Sequence, residues 1–139
     1  MATWTPSAFR RHLAAVLLAA CACGARAGDI VVIVHPSAPP MTKDEVEDVF
    51  LGRSVRAMPV DQARSQPIRA EFYGRATGRD LAQVKAVWSR VIFTGKGLTP
   101  KEYPDAAAVK RIVADSPRAV GYIEKSALDP SVKVAYEFN

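Results

Sequence analysis

Asp29-Ile30-Val31-Val32-Ile33-Val34 is the stretch on which the fold turns. Its five consecutive apolar residues are all β-branched and stiff, which favours a strand over a helix. With no polar residue among them, the strand has no solvent face, so it predicts burial on both sides, as in a parallel sheet carrying helices on each face. Working outward, His35-Pro36-Ser37-Ala38-Pro39-Pro40 is a stiff loop, because three prolines bar helix and ladder alike. Thr42 then opens a helix. Thr42 and Glu45 have capping-box spacing, Met41 and Val46 suit a hydrophobic staple, and Val46, Val49 and Phe50 share one face before Gly52 ends the run.

Met58 to Asp61 reads as a second strand. A helix of about ten residues follows, with Ser65 as its cap and Ile68, Phe72 and Tyr73 inward. Asp80 and Gln83 form another capping pair. Behind it Leu81, Val84, Trp88, Val91 and Ile92 trace one apolar stripe. Thr94-Gly95-Lys96-Gly97 resembles a phosphate loop only superficially. It follows a helix, where the dipole is wrong for an anion, and lacks the G-x-x-x-x-G-K-[ST] spacing, so it reads as a C-cap and turn. A loop through Pro100 and Pro104 leads to a helix opened by Asp105, with Val109, Ile112 and Val113 inward. Ala119 to Ile123 is a strand whose Gly121 marks the close approach of another backbone. Glu124 to Leu128 fits one helical turn, and Val132 to Phe138 alternates as a terminal strand. Strands alternating with helices predict a single three-layer α/β domain over residues 28–139.

The amino end reads as a leader. Arg10 and Arg11 precede Leu13-Ala14-Ala15-Val16-Leu17-Leu18-Ala19-Ala20, an apolar run far short of the roughly 20 residues that span a bilayer. Residues 1–27 are therefore expected to be a secretory signal peptide. Ala25-Arg26-Ala27 gives a mature start at Gly28, while Leu18-Ala19-Ala20-Cys21 gives a lipid-anchored Cys21, and both readings stand. The leader holds no acid and three of the 19 basic residues, so the net charge of +5 falls to +2 over residues 28–139. That removes the basic excess a nucleic-acid reading needs. The leader also takes Cys21 and Cys23, and of the histidines only His35 is left. A cysteine nucleophile, a disulfide or a cysteine metal site has no residues to form from, and a histidine-based metal site or triad has one candidate. No pair of acids has a spacing that implies acid–base catalysis. The expectation is a non-enzyme without metal or cofactor.

Ligands of open α/β sheets sit beyond the carboxyl ends of strands and near helix amino termini. The candidate binding residues are accordingly His35, in the loop after the first strand, and Gln62, Arg64 and Ser65, after the second. Ser65 offers a hydroxyl, Gln66 a free backbone N–H, and Arg64 or Arg69 charge and a bidentate fork. The plainer alternatives are that Ser65 is only a cap, the arginines are solvated and His35 is a surface residue. Trp88 and Tyr122 read as packing residues.

Several stretches resemble phosphate-type periplasmic substrate-binding proteins. Met41-Thr42-Lys43-Asp44-Glu45-Val46-Glu47-Asp48-Val49-Phe50-Leu51-Gly52 is similar to the family's "L-t-x-e-q-l-x-x-I-F-x-G" segment, and Ala119-Val120-Gly121-Tyr122-Ile123 to its "a-I-G-Y-v". Trp88-Ser89-Arg90-Val91-Ile92-Phe93-Thr94-Gly95-Lys96-Gly97 resembles a stretch of short secreted proteins of the phosphate-transporter binding-protein-like kind. The resemblance covers most of 29–128. It implies one lobe of a type II periplasmic-binding fold, a cofactor-free protein of the periplasm that binds phosphate or a similar oxyanion and hands it to an ATP-driven importer in the membrane. The family's anion loop, approximately R-x-D-G-S-G-T, carries over only at Ser65. Asp61 stands at its Arg, Ala63 at its Asp, and Gln66-Pro67 at its Gly-Thr. The family closes two lobes on its ligand, whereas residues 28–139 suffice for one. The expected partners are therefore a small anion, a transporter or sensor, and a second copy as the other wall. The rival reading is a protein-interaction or sensor accessory module that has lost solute binding.

Overall fold

The computed structural model describes residues 28–97 and 99–138. The leader reading of residues 1–27, with Cys21, lies outside them. Five strands and four helices follow in the order β1 (Ile30–Val34), α1 (Lys43–Phe50), β2 (Met58–Gln62), α2 (Pro67–Thr77), α3 (Leu81–Phe93), β3 (Lys101–Tyr103), α4 (Ala106–Asp115), β4 (Ala119–Glu124) and β5 (Lys133–Phe138). A single 3-10 turn at Lys125–Ala127 separates the last two strands. The strands form one sheet in the order β3-β2-β4-β1-β5.

β1 is buried at all five positions, as its composition dictates. Ile30, Val32 and Val34 face a core built with α1, α2 and α3, while Val31 and Ile33 face a second core under α4. The architecture is thus three layers. The expected strand direction is corrected, however. β1 runs antiparallel to both neighbours, β4 and β5, and the parallel pairings are those of β2 with β3 and with β4. A run of branched apolar residues reports burial on two faces, and helices cover both faces here whichever way the strand points. Between Val32 and Ile33 the register against β5 slips, leaving Ala135 outside the ladder, and its carbonyl accepts the Met41 N–H at 3.0 Å. That bond fixes the proline loop where α1 begins.

The caps behave as read. Thr42 with Glu45 and Asp80 with Gln83 are complete capping boxes, each worth about 1 kcal/mol, and Asp105 caps α4. Ser65 is a correction: the N-cap of α2 is Gln66, whose side chain makes no cap bond, with Pro67 in the first turn. Pro67, with its fixed φ and missing N–H, belongs at the first helical position, so the helix starts one residue later than a Ser65 cap allows. The stripe on α3 is narrower than expected. Val84 and Trp88 are buried and Leu81 and Val91 partly so, whereas Ile92 is half-exposed. Thr94 and Gly95, the latter with φ 67°, do end α3 as a C-cap. The expected loop through Pro100 and Pro104 contains β3, a three-residue strand parallel to β2. So short and exposed a strand has no hydrophobic pattern, and its partner lies some 40 positions away, so only the tertiary fold creates it.

Two close approaches hold the layers together. Gly52, with φ 72°, lies under Trp88 and Val91, and the Trp88 indole N–H donates to the Phe50 carbonyl at 2.9 Å. On the other face Gly121 lets α4 settle on β4, since a Cβ there would lie 2.6 Å from Val109 Cγ1 and 3.2 Å from Val113 Cγ2. We expect Gly121→Ala to cost about 1–3 kcal/mol through overpacking. Adding Val109→Ala should recover part of that loss in chemical denaturation. Equal stability of wild type and Gly121→Ala would show that α4 shifts freely.

Candidate functional site

The site begins with an acid in a strand. Val60 faces the core under α4, so its neighbour Asp61 points to the opposite side, into the layer of α2. There it is 1% exposed. An isolated carboxylate at such a position costs several kcal/mol, so it must be met by donors. The aromatic core supplies two. Phe72 and Tyr122 stack with centroids 3.9 Å apart and planes 5° from parallel, and Phe50 meets Phe72 edge-on at 4.7 Å. Pairs of this kind contribute about 0.5–1.5 kcal/mol each beyond buried area. They set the phenols of Tyr122 on β4 and Tyr73 on α2 so that both point at Asp61.

Tyr122 Oη donates to Asp61 Oδ1, and the Gln62 backbone N–H donates to the same oxygen at 2.8 Å. Tyr73 Oη donates to Oδ2 at 2.8 Å, and Arg69 Nη2 lies 3.4 Å from it. Burial pushes the Asp61 carboxyl above its ordinary pKa, while Tyr122, Tyr73, Arg69 and the Gln62 N–H all pull the other way by favouring the ionised form. Both phenols are pushed well up, first by burial and then by the Asp61 charge, and so remain protonated donors. Burial alone would lower the Arg69 pKa, but Asp61 and Glu102 raise it.

Arg69, 14% exposed on its side chain, also donates through Nη1 to Glu102 Oε1 at 2.8 Å. Glu102 sits on β3, and Arg64 Nε approaches the same oxygen at 3.6 Å from the turn before α2. The chain of charges therefore runs from β2 through α2 to β3. It forms the inner wall of a groove of about 650 Å³ between α3 and the β3 edge of the sheet. Trp88 and Lys85 of α3 line the other wall, and among the described residues Lys85 makes no ion pair.

The expected binding residues are divided by this arrangement. Arg64 lines the groove and is 75% exposed on its side chain. Ser65 is exposed beside it in the turn. Gln62 is buried, and its side-chain amide donates to the Tyr122 carbonyl at 2.9 Å, past the point where β2 and β4 pair by backbone. The Gln66 N–H, expected to be free for an anion, is bonded to the Ala63 carbonyl at 2.9 Å. His35 is not brought to the others. Val34 and Pro59 both align with Val120, so His35 lies where β2 begins, and Gln62 lies at the opposite end of the sheet. The antiparallel course of β1 causes this separation. His35 Nδ1 pairs instead with the Ser37 hydroxyl at 2.7 Å. Glu102 and Lys85 carry no local sequence signal. Asp61 carries one, since an acid following Val60 in a strand covered on both faces needs donors.

The raised Asp61 pKa has a definite sign. Above 3.8 the unfolded chain gives up this proton before the folded one does, so the folded state loses stability as pH rises from there through its own higher pKa. Asp61→Asn removes that dependence. Thermal melts from about pH 4 to 7 should show Asp61→Asn gaining on wild type as pH rises. A gap moving the other way would mean that the four donors outweigh burial.

No protein-family model matches the sequence, and no curated protein does. Among solved structures the chain is similar to the crystal structure of an ABC-type phosphate transport receptor from Vibrio cholerae, at 17% identity and TM-score 0.62, over 77% of this chain and 45% of that one. It is also similar to a protein from Clostridium perfringens assigned as a phosphate ABC transporter substrate-binding protein and solved with bound phosphate. That match has 17% identity and TM-score 0.62, over 78% of this chain and 44% of that one. The chain thus spans less than half the length of either structure, and at this identity the likeness is one of fold. The fold is that of one lobe of the periplasmic-binding type.

Proposed function

We propose that the protein is a non-catalytic solute-binding lobe of the ABC-transporter substrate-binding type, taking a small oxyanion such as phosphate at the mouth of the groove. The observation that carries this reading is the groove itself: it runs between α3 and the β3 edge of the sheet and brings together Arg64, Arg69 and Lys85 against the two acids Asp61 and Glu102. Arg69 is held by both acids, so the cations left to meet a solute are Lys85 and the largely exposed Arg64, whose Nε also approaches Glu102. The phosphate named for the Clostridium perfringens structure supports the choice of anion. One lobe gives one wall, and the second comes from another copy of the chain or from a transporter or sensor partner. A leader over residues 1–27 puts this work in the periplasm, with release at Gly28 or a lipid anchor at Cys21.

A second reading, an interaction module without a solute, is favoured by one feature. The phenols of Tyr73 and Tyr122 and the Gln62 and Gln66 N–H groups, donors an anion would seek, are already taken by the chain itself. Exposed Phe93 and half-exposed Ile92 at the end of α3 then form its contact surface.

Thermal shift at constant ionic strength separates the two. An oxyanion present at about ten times its Kd should raise Tm by about 5 °C. Arg64→Ala and Lys85→Ala should each weaken that anion about tenfold, the worth of one charge-assisted hydrogen bond. His35→Ala, at the far end of the sheet, should leave the affinity unchanged. No shift with phosphate, sulfate or nitrate at about 10 mM, a concentration well above a micromolar Kd, overturns the solute reading.

A further inference from the structure

Three hydrogen-bond donors and one cation form the coordination shell of a buried oxyanion at Asp61. Tyr122 Oη and the Gln62 N–H donate to Oδ1, Tyr73 Oη donates to Oδ2, and Arg69 Nη2 forms an ion pair with Oδ2 at 3.4 Å. They come from β2, β4 and α2, three elements that other contacts already hold in place. The Phe72–Tyr122 stack fixes one phenol, and the Arg69–Glu102 ion pair fixes the guanidinium. Asp61, Tyr73 and Arg69 also line the groove, so the shell opens onto a space that a small solute can enter.

We infer that the inner end of the groove is an anion site filled by the chain's own Asp61 carboxylate, and that without this carboxylate the same donors take a free small carboxylate, formate being the best match. The match is one of composition. Asp61→Ala ends the side chain at Cβ and removes one carboxylate, the group that formate restores. Two oxygens, each met by two of these groups, suit a planar carboxylate, whereas a tetrahedral oxyanion brings two further oxygens that the groups do not meet. In the wild-type protein the tethered carboxylate has a high effective concentration, so a free anion in millimolar amounts does not displace it. A solute in the groove is left with Arg64 and Lys85. The inference concerns the donor shell alone and stands whether or not the wild-type groove takes a solute.

The test is the Asp61→Ala protein, melted in about 100 mM sodium formate and in sodium chloride of the same ionic strength. Formate should raise its Tm by about 5 °C, and that of wild type and of Asp61→Asn by no more than about 1 °C, because both of these keep the site full. Tyr122→Phe in the Asp61→Ala background should cut the formate shift by about half or more, since one donor is lost. If Asp61→Ala is unfolded in chloride, the same rescue is read as recovery of near-ultraviolet circular dichroism on adding formate. Equal behaviour of Asp61→Ala in formate and chloride overturns the inference. So does an equal formate shift in Asp61→Asn, because the effect then does not depend on the vacated space.

Discussion

The carboxylate of Asp61, buried near the end of a strand, sets the terms for everything at that end of the molecule. Leaving it unpaired would cost several kcal/mol, a large share of what a small domain has in reserve. Its donors come from the Tyr122 phenol of β4, the Tyr73 phenol and Arg69 of α2, and the next N–H of β2. Arg69 then needs a second acid, which draws Glu102 and with it the short strand β3 into place. One buried charge thereby fixes the mutual position of four elements. The aromatic stack beneath, with Phe72 against Tyr122, is what makes the phenols arrive at the right spot.

This arrangement explains why the groove has two unlike parts. Its inner end is polar and filled by the chain's own Asp61. Its mouth is open, with Arg64 largely solvent-exposed and Lys85 without an acid beside it. The structural neighbours are longer and share the fold of this chain over less than half of their own length.

Much of the fold was legible in local patterns. The two capping boxes, the Asp105 cap, the turn at Gly52 and the doubly buried β1 each follow from residues within about one helical turn of one another, and their physics is local. Gly121 was readable as a close approach because a glycine inside an apolar strand has few other uses. The site was less legible. Arg64 was identified from its loop and does line the groove, but Ser65 is not the cap and Gln62 spends its amide on the Tyr122 carbonyl. Lys85 and Glu102 reach the groove from α3 and β3, segments whose own patterns say nothing about where they will dock.

Apart from the short β3, the sequence by itself determined which segments are strands and helices, which of their faces are apolar, and that the sheet is covered on both sides. Those properties depend on side-chain shape and spacing over a few residues. The tertiary structure alone decided the direction of β1, and with it the separation of His35 from the loop after β2. It also decided that Asp61 is surrounded by donors rather than facing solvent. Strand direction and the partners of a buried charge are set by contacts between residues far apart in the chain, Ile30 with Phe138 and Asp61 with Tyr122, and composition leaves no local trace of them.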